Sequence, residues 1–297
     1  MKSYATLAVG LIALLGATGC SRPAGDAPTA AVPQEKRYPL TGEVVSVDAA
    51  HKVLVVQHDA IPGLMPAMVM EFSASASDVA AAKPGERIRA ELIPSEKGNW
   101  RLEKIWPNDQ AAATAVAAQA MALRQDTLIR GQSAYREVGE KIPDFALFDQ
   151  EGRVVQSARF HGKLIMLNFI YSRCPVATMC PAATMKMMGT QALARKAGVP
   201  NLELVSITMD PAYDTPAVLK EYAAARGIDT SNFTFLTGPE NAIKDLLTQF
   251  GIIAEFDGNI LKHTLGTLLI DENGRIIHRA DGGAWEPEDF VAKMHKG

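Results

Sequence analysis

A chain of 297 residues has room for two ordinary domains with sizeable cores rather than one. Its 30 lysines and arginines against 33 aspartates and glutamates give a formal net charge of -3 with the signs interspersed, which excludes a nucleic-acid partner as the natural reading. Three cysteines, Cys20, Cys174 and Cys180, are the informative count.

Met1 and Lys2 open a short basic start, residues 5–17 are apolar, and Thr18 and Gly19 precede Cys20. This describes an export signal, too short for a lasting membrane span. Small residues directly before a cysteine resemble a bacterial lipoprotein signal over residues 1–20, with Cys20 lipidated and Ala17 at the usual Leu position. The alternative is cleavage just upstream, leaving Cys20 free. With Cys20 lipidated, one cysteine pair remains, and an exported protein either closes such a pair as a disulfide or uses it on a metal. Residues 21–37, rich in Pro and Ala, read as a flexible tether.

From Leu40 the pattern changes to short alternating runs at 42–47, 52–57, 68–72, 87–92 and 100–105, separated by turn signals such as Pro62-Gly63 and Pro84-Gly85. Five strands at this spacing predict a small all-β barrel of the OB type over residues 38–107. His58 ends its second strand. Met65 precedes the third, on which Met68 and Met70 stand two apart and therefore share a face. Thioethers with one imidazole select Cu(I) or Ag(I); the plainer reading makes Met68 and Met70 inward core residues continued by Phe72. An alanine-rich stretch from Gln110 to about 137 then predicts a linking helix within 108–138.

A second domain over 139–297 alternates strand and helix signals: a hairpin at 145–155, strands at 163–171, 202–208 and 233–236, helices near 181–197, 215–226, 239–250 and 286–295, and two late adjacent strands at 267–270 and 275–278. That order predicts an α/β thioredoxin-like fold. The largely apolar run 163–171 delivers Cys174 and Cys180 to its carboxyl end and the start of a helix, where open α/β sheets place their chemistry. Pro181 suits the first helical position, with Cys180 near the N-cap, where the dipole favours a thiolate. Five residues separate the cysteines, so a bent loop must join them, and both a redox pair and a two-thiolate metal site are open. His263 stands where a thioredoxin-like oxidoreductase usually carries a cis-proline, at the start of the strand facing the cysteines. Two thiolates and a neutral imidazole suit copper better than zinc. Met179, Met185, Met187 and Met188 read as core filler, and His51, His161, His278 and His295 show no partner pattern.

The second half resembles the Sco/SenC family at residues 142–145, Gly162-Lys163, 168–175, 206–211, 214–216, His263 and 271–274. The resemblance implies a thioredoxin-fold copper chaperone for cytochrome c oxidase assembly. It makes Cys174, Cys180 and His263 the copper ligands and Asp210 a supporting residue for metal transfer or partner contact. The family usually spaces its cysteines by three residues, whereas this chain has five between them. Residues 40–106 resemble the CusF-type periplasmic copper/silver-binding barrel, which implies His58, Met68 and Met70 as ligands and puts Met65 in the place of that family's capping Trp. The expected protein is lipid-anchored on the periplasmic side of a bacterial cell envelope. It captures Cu(I), with Cu(II) also admissible at the Cys/Cys/His site. The expected partners are a cytochrome c oxidase subunit or other copper-receiving protein and an envelope thioredoxin-like reductase. The alternatives are a thiol–disulfide oxidoreductase using Cys174 and Cys180 as a redox pair, and a copper buffer with no dedicated recipient.

Overall fold

A computed structural model describes residues 35–95, 98–131, 134–258 and 260–294; Cys20, the tether to residue 34 and His295 lie outside them. In the first half, apolar side chains recur at every second position and close the strands on themselves. β1 (Tyr38–Asp48), β2 (Val53–His58), β3 (Met68–Ser73), β4 (Arg87–Ile93) and β5 (Arg101–Pro107) form a closed barrel in the order β1-β2-β3-β5-β4. Leu40, Val44, Leu54, Val56, Phe72, Ile88, Leu92 and Leu102 fill it. Gly42 is a packing requirement: a Cβ there would stand 2.8 Å from the His58 Cα and 2.7 Å from the Gln57 carbonyl oxygen. A short helix, α1 (Ala76–Ala81), joins β3 to β4, capped by Ser75, whose hydroxyl accepts from the Asp78 N–H at 3.0 Å. At six residues it is too short to show a helical period in sequence.

The alanine-rich helix α2 (Gln110–Arg130) starts at Asp109, whose carboxylate accepts from the Ala111 and Ala112 N–H groups. It ends at Arg130 rather than near 137, because Gly131 takes a φ of 95°. The second half follows with β6 (Ala146–Asp149), β7 (Val154–Gln156), β8 (Leu164–Ile170), α3 (Cys180–Lys196), β9 (Leu202–Thr208), α4 (Pro216–Ala225), β10 (Phe233–Thr237) and α5 (Glu240–Gln249). Then come β11 (Ala254–Asp257), β12 (Ile260–His263), β13 (Gly266–Ile270), β14 (Ile276–Asp281) and α6 (Pro287–Met294). Seven strands form one mixed sheet in the order β14-β13-β8-β9-β10-β6-β7, while β11 and β12 form a separate two-stranded sheet. β8, β9 and β10 run parallel at the centre, and every residue of all three is buried, as strands covered on both faces require.

α2 is packed along its length. Val116, Ala120, Leu123 and Thr127 are buried, Arg124 pairs with Asp245 of α5 at 2.8 Å, and the Gln249 amide donates to Asp126 and Thr127 at 2.9 Å each. The barrel also rests on the second half. Trp106 meets Phe148 edge-on at 5.8 Å, α1 packs against α4, and residues from Lys36 onward cluster as one compact unit.

At that seam Asp78 is buried, with one carboxylate oxygen unpartnered and the other accepting from Ser75 at 2.7 Å. Burial, reinforced by the charges of Glu221 and Glu103, raises its pKa to about 6 against an ordinary 3.8. A raised acid favours the folded state below its unfolded pKa and loses that contribution as pH rises through about 6. The ionised form costs on the order of 3 kcal/mol. Asp78→Asn is therefore expected to raise the thermal midpoint at pH ~8 by roughly 5 °C, a gain that vanishes near pH ~4. Melting curves at the two pH values check this; an equal gain at both would contradict it.

Candidate metal centre

Three elements converge at the carboxyl ends of the parallel strands. The loop leaving β8 carries Cys174, the first turn of α3 carries Cys180, and the last residue of β12 is His263. Their donor atoms all lie within 4.8 Å of one another. The His263 Nε2 stands 3.5 Å from the Cys180 Sγ and 3.9 Å from the Cys174 Sγ. Its Nδ1 is 3.1 Å from the Thr264 carbonyl oxygen. A carbonyl only accepts, so Nδ1 carries the proton and the Nε2 lone pair faces the sulfurs. Burial holds the imidazole below its usual pKa, so it is neutral at pH 7.

The two thiols are unequal. Cys180 is fully buried, Cys174 is half-buried, and both are free. Burial pushes the Cys180 thiol well above the ordinary thiol range, with the neighbouring Cys174 adding to the shift. The expectation that the start of α3 favours a thiolate there is thus corrected, because desolvation outweighs the helix dipole. The helix begins at Cys180 itself, with Met179 in the capping position. The placement of His263 is corrected too: it ends the β11–β12 hairpin instead of starting the strand beside β8, and β13 begins at Gly266. Among the methionines nearby, Met187 is core, Met188 packs partly against it, Met185 faces solvent, and Met179 lines a groove beside His263.

The donor set fits a soft cation. Ligand bonds of roughly 2.0 to 2.3 Å around one ion put three donors about 3.5 to 4 Å apart, close to the spacing here, and two sulfurs with one neutral nitrogen favour Cu(I) over harder ions.

Further side chains surround this arrangement, of which the sequence reading gave a role to Asp210 alone. The Asp210 carboxylate, 1% exposed, accepts from the Arg173 Nε at 2.7 Å and makes no recorded contact with the three donors. Asp214 accepts from the Ser172 N–H at 3.1 Å, from the Ser172 hydroxyl, and from the Thr208 hydroxyl at 2.5 Å. It thereby ties the cysteine loop to the end of β9. Burial pushes its carboxyl up to about 6. The Tyr171 ring stands edge-on to His263 at 5.3 Å, and its hydroxyl donates to the Leu261 carbonyl at 3.4 Å. The Asp-Pro and Asp-Thr-Pro signals mark this loop in sequence, but which carboxylate fastens which backbone depends on the fold.

In the barrel, the His58 ring is fully buried, edge-on to Phe72 at 5.9 Å. Its Nδ1 donates to the Asp59 carbonyl at 2.8 Å, while Nε2 is buried with no hydrogen-bond partner. Met68 is the cross-strand partner of His58, and Met70 that of Val56. Paired residues share a face, with side chains about 5 Å apart at Cβ, so Met68, Met70 and Phe72 lie on the His58 face. Along that face burial falls from Phe72 through half-buried Met70 to Met68, which is 43% exposed. Met65 is half-buried against the barrel core and closes a tight turn with Ile61. An orphaned imidazole nitrogen on the same sheet face as two thioethers is a candidate soft donor set.

Comparison with known proteins matches both halves. The sequence model described as SCO1/SenC covers residues 133–297, and the one described as copper binding periplasmic protein CusF covers residues 37–107. A SCO2-like protein of Rickettsia conorii is 35% identical over 157 residues, which is 50% of this chain and 74% of that protein. A SCO1 protein homolog of Bacillus subtilis is 25% identical over 166 residues, 54% of this chain and 84% of its own length. Among solved structures, a SCO1/SenC family lipoprotein from Bacillus anthracis superposes with a TM-score of 0.50 at 26% identity, covering 55% of this chain and 98% of that one. The C-terminal half therefore has the thioredoxin-like fold of that family.

Proposed function

The chain belongs to the SCO1/SenC family, and from that premise we propose that it is a copper-handling protein of the bacterial cell envelope that binds Cu(I) through Cys174, Cys180 and His263. The observation that carries this is the convergence of two sulfurs and a deprotonated imidazole nitrogen within 4.8 Å. Binding draws the proton from the buried Cys180 thiol, so apparent affinity rises with pH across the neutral range. Cys180, the enclosed thiol, holds the ion most firmly, and the more accessible Cys174 is the thiolate that a recipient's donor displaces first. The recipient is a cytochrome c oxidase subunit or another copper-receiving protein.

The barrel is a second Cu(I) site built from His58, Met68 and Met70, with Met65 at its rim. Its strand order and its helix between β3 and β4 support the OB-type reading. The CusF match supports the periplasmic side of the envelope, and anchoring through a lipid on Cys20 completes the reading. The thiols must be reduced to bind, which implies an envelope thioredoxin-like reductase as a partner.

Titration of the reduced protein with Cu(I) against a chromophoric chelator tests the reading. Cys174→Ser, Cys180→Ser and His263→Ala are each expected to weaken one equivalent by about a hundredfold or more while the barrel's equivalent stays. Unchanged affinity in all three would end the proposal. The unequal burial of the two thiols supports a second reading, a thiol–disulfide oxidoreductase in which the Cys174 thiolate attacks a protein disulfide and Cys180 then displaces it from the mixed disulfide, releasing the substrate dithiol. Activity on protein disulfides that persists in His263→Ala would favour it.

A further inference from the structure

Arg173 contributes no donor atom, yet it joins the cysteine loop, the loop after β9 and strand β11 of the hairpin that bears His263. It directly precedes Cys174. Its Nε donates to the buried Asp210 carboxylate at 2.7 Å, and its guanidinium lies 4.7 Å from the Tyr213 ring centre and 5.8 Å from that of Phe256. Asp210 and Tyr213 stand in the loop between β9 and α4, while Phe256 is on β11, whose partner strand ends in His263. β11 and β12 pair only with each other among the described residues, and a lone two-stranded sheet is marginal in water. β12 is secured by buried Leu261 and by the Tyr171 hydroxyl. Phe256, 52% exposed, has the Arg173 guanidinium as its recorded ring neighbour.

We infer that Arg173 is a positioning residue of the metal centre, a clamp that holds the hairpin bearing His263 against the loop bearing Cys174. A planar guanidinium can offer its edge to a carboxylate and its faces to aromatic rings at once; a lysine ammonium is a point charge and cannot. With the clamp closed, the imidazole and the two sulfurs keep their spacing before any ion arrives, so binding needs little reorganisation. This rests on the Cu(I) reading above for its effect on affinity, but not for its effect on the hairpin.

The test compares Arg173→Met and Arg173→Lys, each alone and combined with His263→Ala, in the otherwise unaltered protein. Two quantities are read: Cu(I) affinity by chelator competition, and amide hydrogen exchange of residues 254–263 without added metal. Arg173→Met is expected to weaken Cu(I) binding about tenfold and to speed exchange in 254–263 while β8 and β9 stay protected. Arg173→Lys should restore only part of the affinity. In the His263→Ala background, Arg173→Met should cost nothing further, because a clamp acting through the imidazole has nothing left to position. Unchanged exchange in 254–263, or an equal affinity loss with and without His263, would overturn the inference. A wild-type protein that takes up no Cu(I) would instead sink the metal reading, and the exchange result alone would then decide the clamp.

Discussion

Oxidising Cys174 and Cys180 to a disulfide is expected to abolish Cu(I) uptake at the Cys/Cys/His site and to leave the barrel's uptake intact. The donor atoms already lie within 4.8 Å, while a disulfide needs about 2.05 Å between sulfurs. Cys180 is buried in the first turn of α3, so the adjustment falls to Cys174, whose loop is largely exposed from Arg173 to Thr178. Closure removes two electrons and two protons and leaves His263 as a lone neutral ligand, too little to hold a soft ion against a chelator. The donors proposed for the barrel, an imidazole and thioethers, need no prior reduction and carry no thiol. Titration before and after mild oxidation, followed by reduction, should show the C-terminal equivalent lost and then recovered. Full uptake by the oxidised protein would refute the assignment of both sulfurs as ligands.

Replacing His58 with Leu is expected to have opposite effects on the two forms of the barrel. The buried Nε2 has no hydrogen-bond partner, and an unmet buried polar atom costs about 1 to 3 kcal/mol. An apolar side chain of similar size removes that cost, so the apoprotein's melting midpoint should hold or rise. An ion bound to the native barrel stabilises it by about 4 kcal/mol at a thousandfold excess over its Kd. That copper-dependent rise should disappear in His58→Leu when the C-terminal site is silenced by Cys174→Ser in the same chain. A copper-dependent rise that survives in the double variant would show that Nε2 is not a ligand.

Much of this architecture was readable because its signals are local. The five barrel strands announce themselves by alternation, and β8 by a run from Leu164 to Ile170 that is apolar except at Asn168. Pro181 and the Ala-Met-Lys composition mark α3, and the spacing of Met68 and Met70 alone puts them on one strand face. The short elements were hidden. α1 spans six residues, and β11 and β12 span four each, lengths at which no period can be told from chance. α2 shows a helix but not its packing face, because alanine on every side gives no amphipathic stripe, and its contacts with α5 run through Arg124, Asp126 and Thr127.

The amino-acid order by itself determined the longer strands and helices, and it put forward the donors proposed for copper: thiols at 174 and 180 with an imidazole at 263, and in the barrel His58, Met65, Met68 and Met70. The elements follow from short-range periods that a chain carries wherever it folds, and the donor sets from side-chain chemistry together with the family resemblances. Only the tertiary structure decided that His263 meets the sulfurs from the end of a hairpin, that Cys180 is the enclosed thiol, and that Asp214 and Arg173 fasten the loop between them. These are contacts between residues some 35 to 90 positions apart, and burial, which sets the thiol's proton affinity, is a property of the assembled core and of no segment alone.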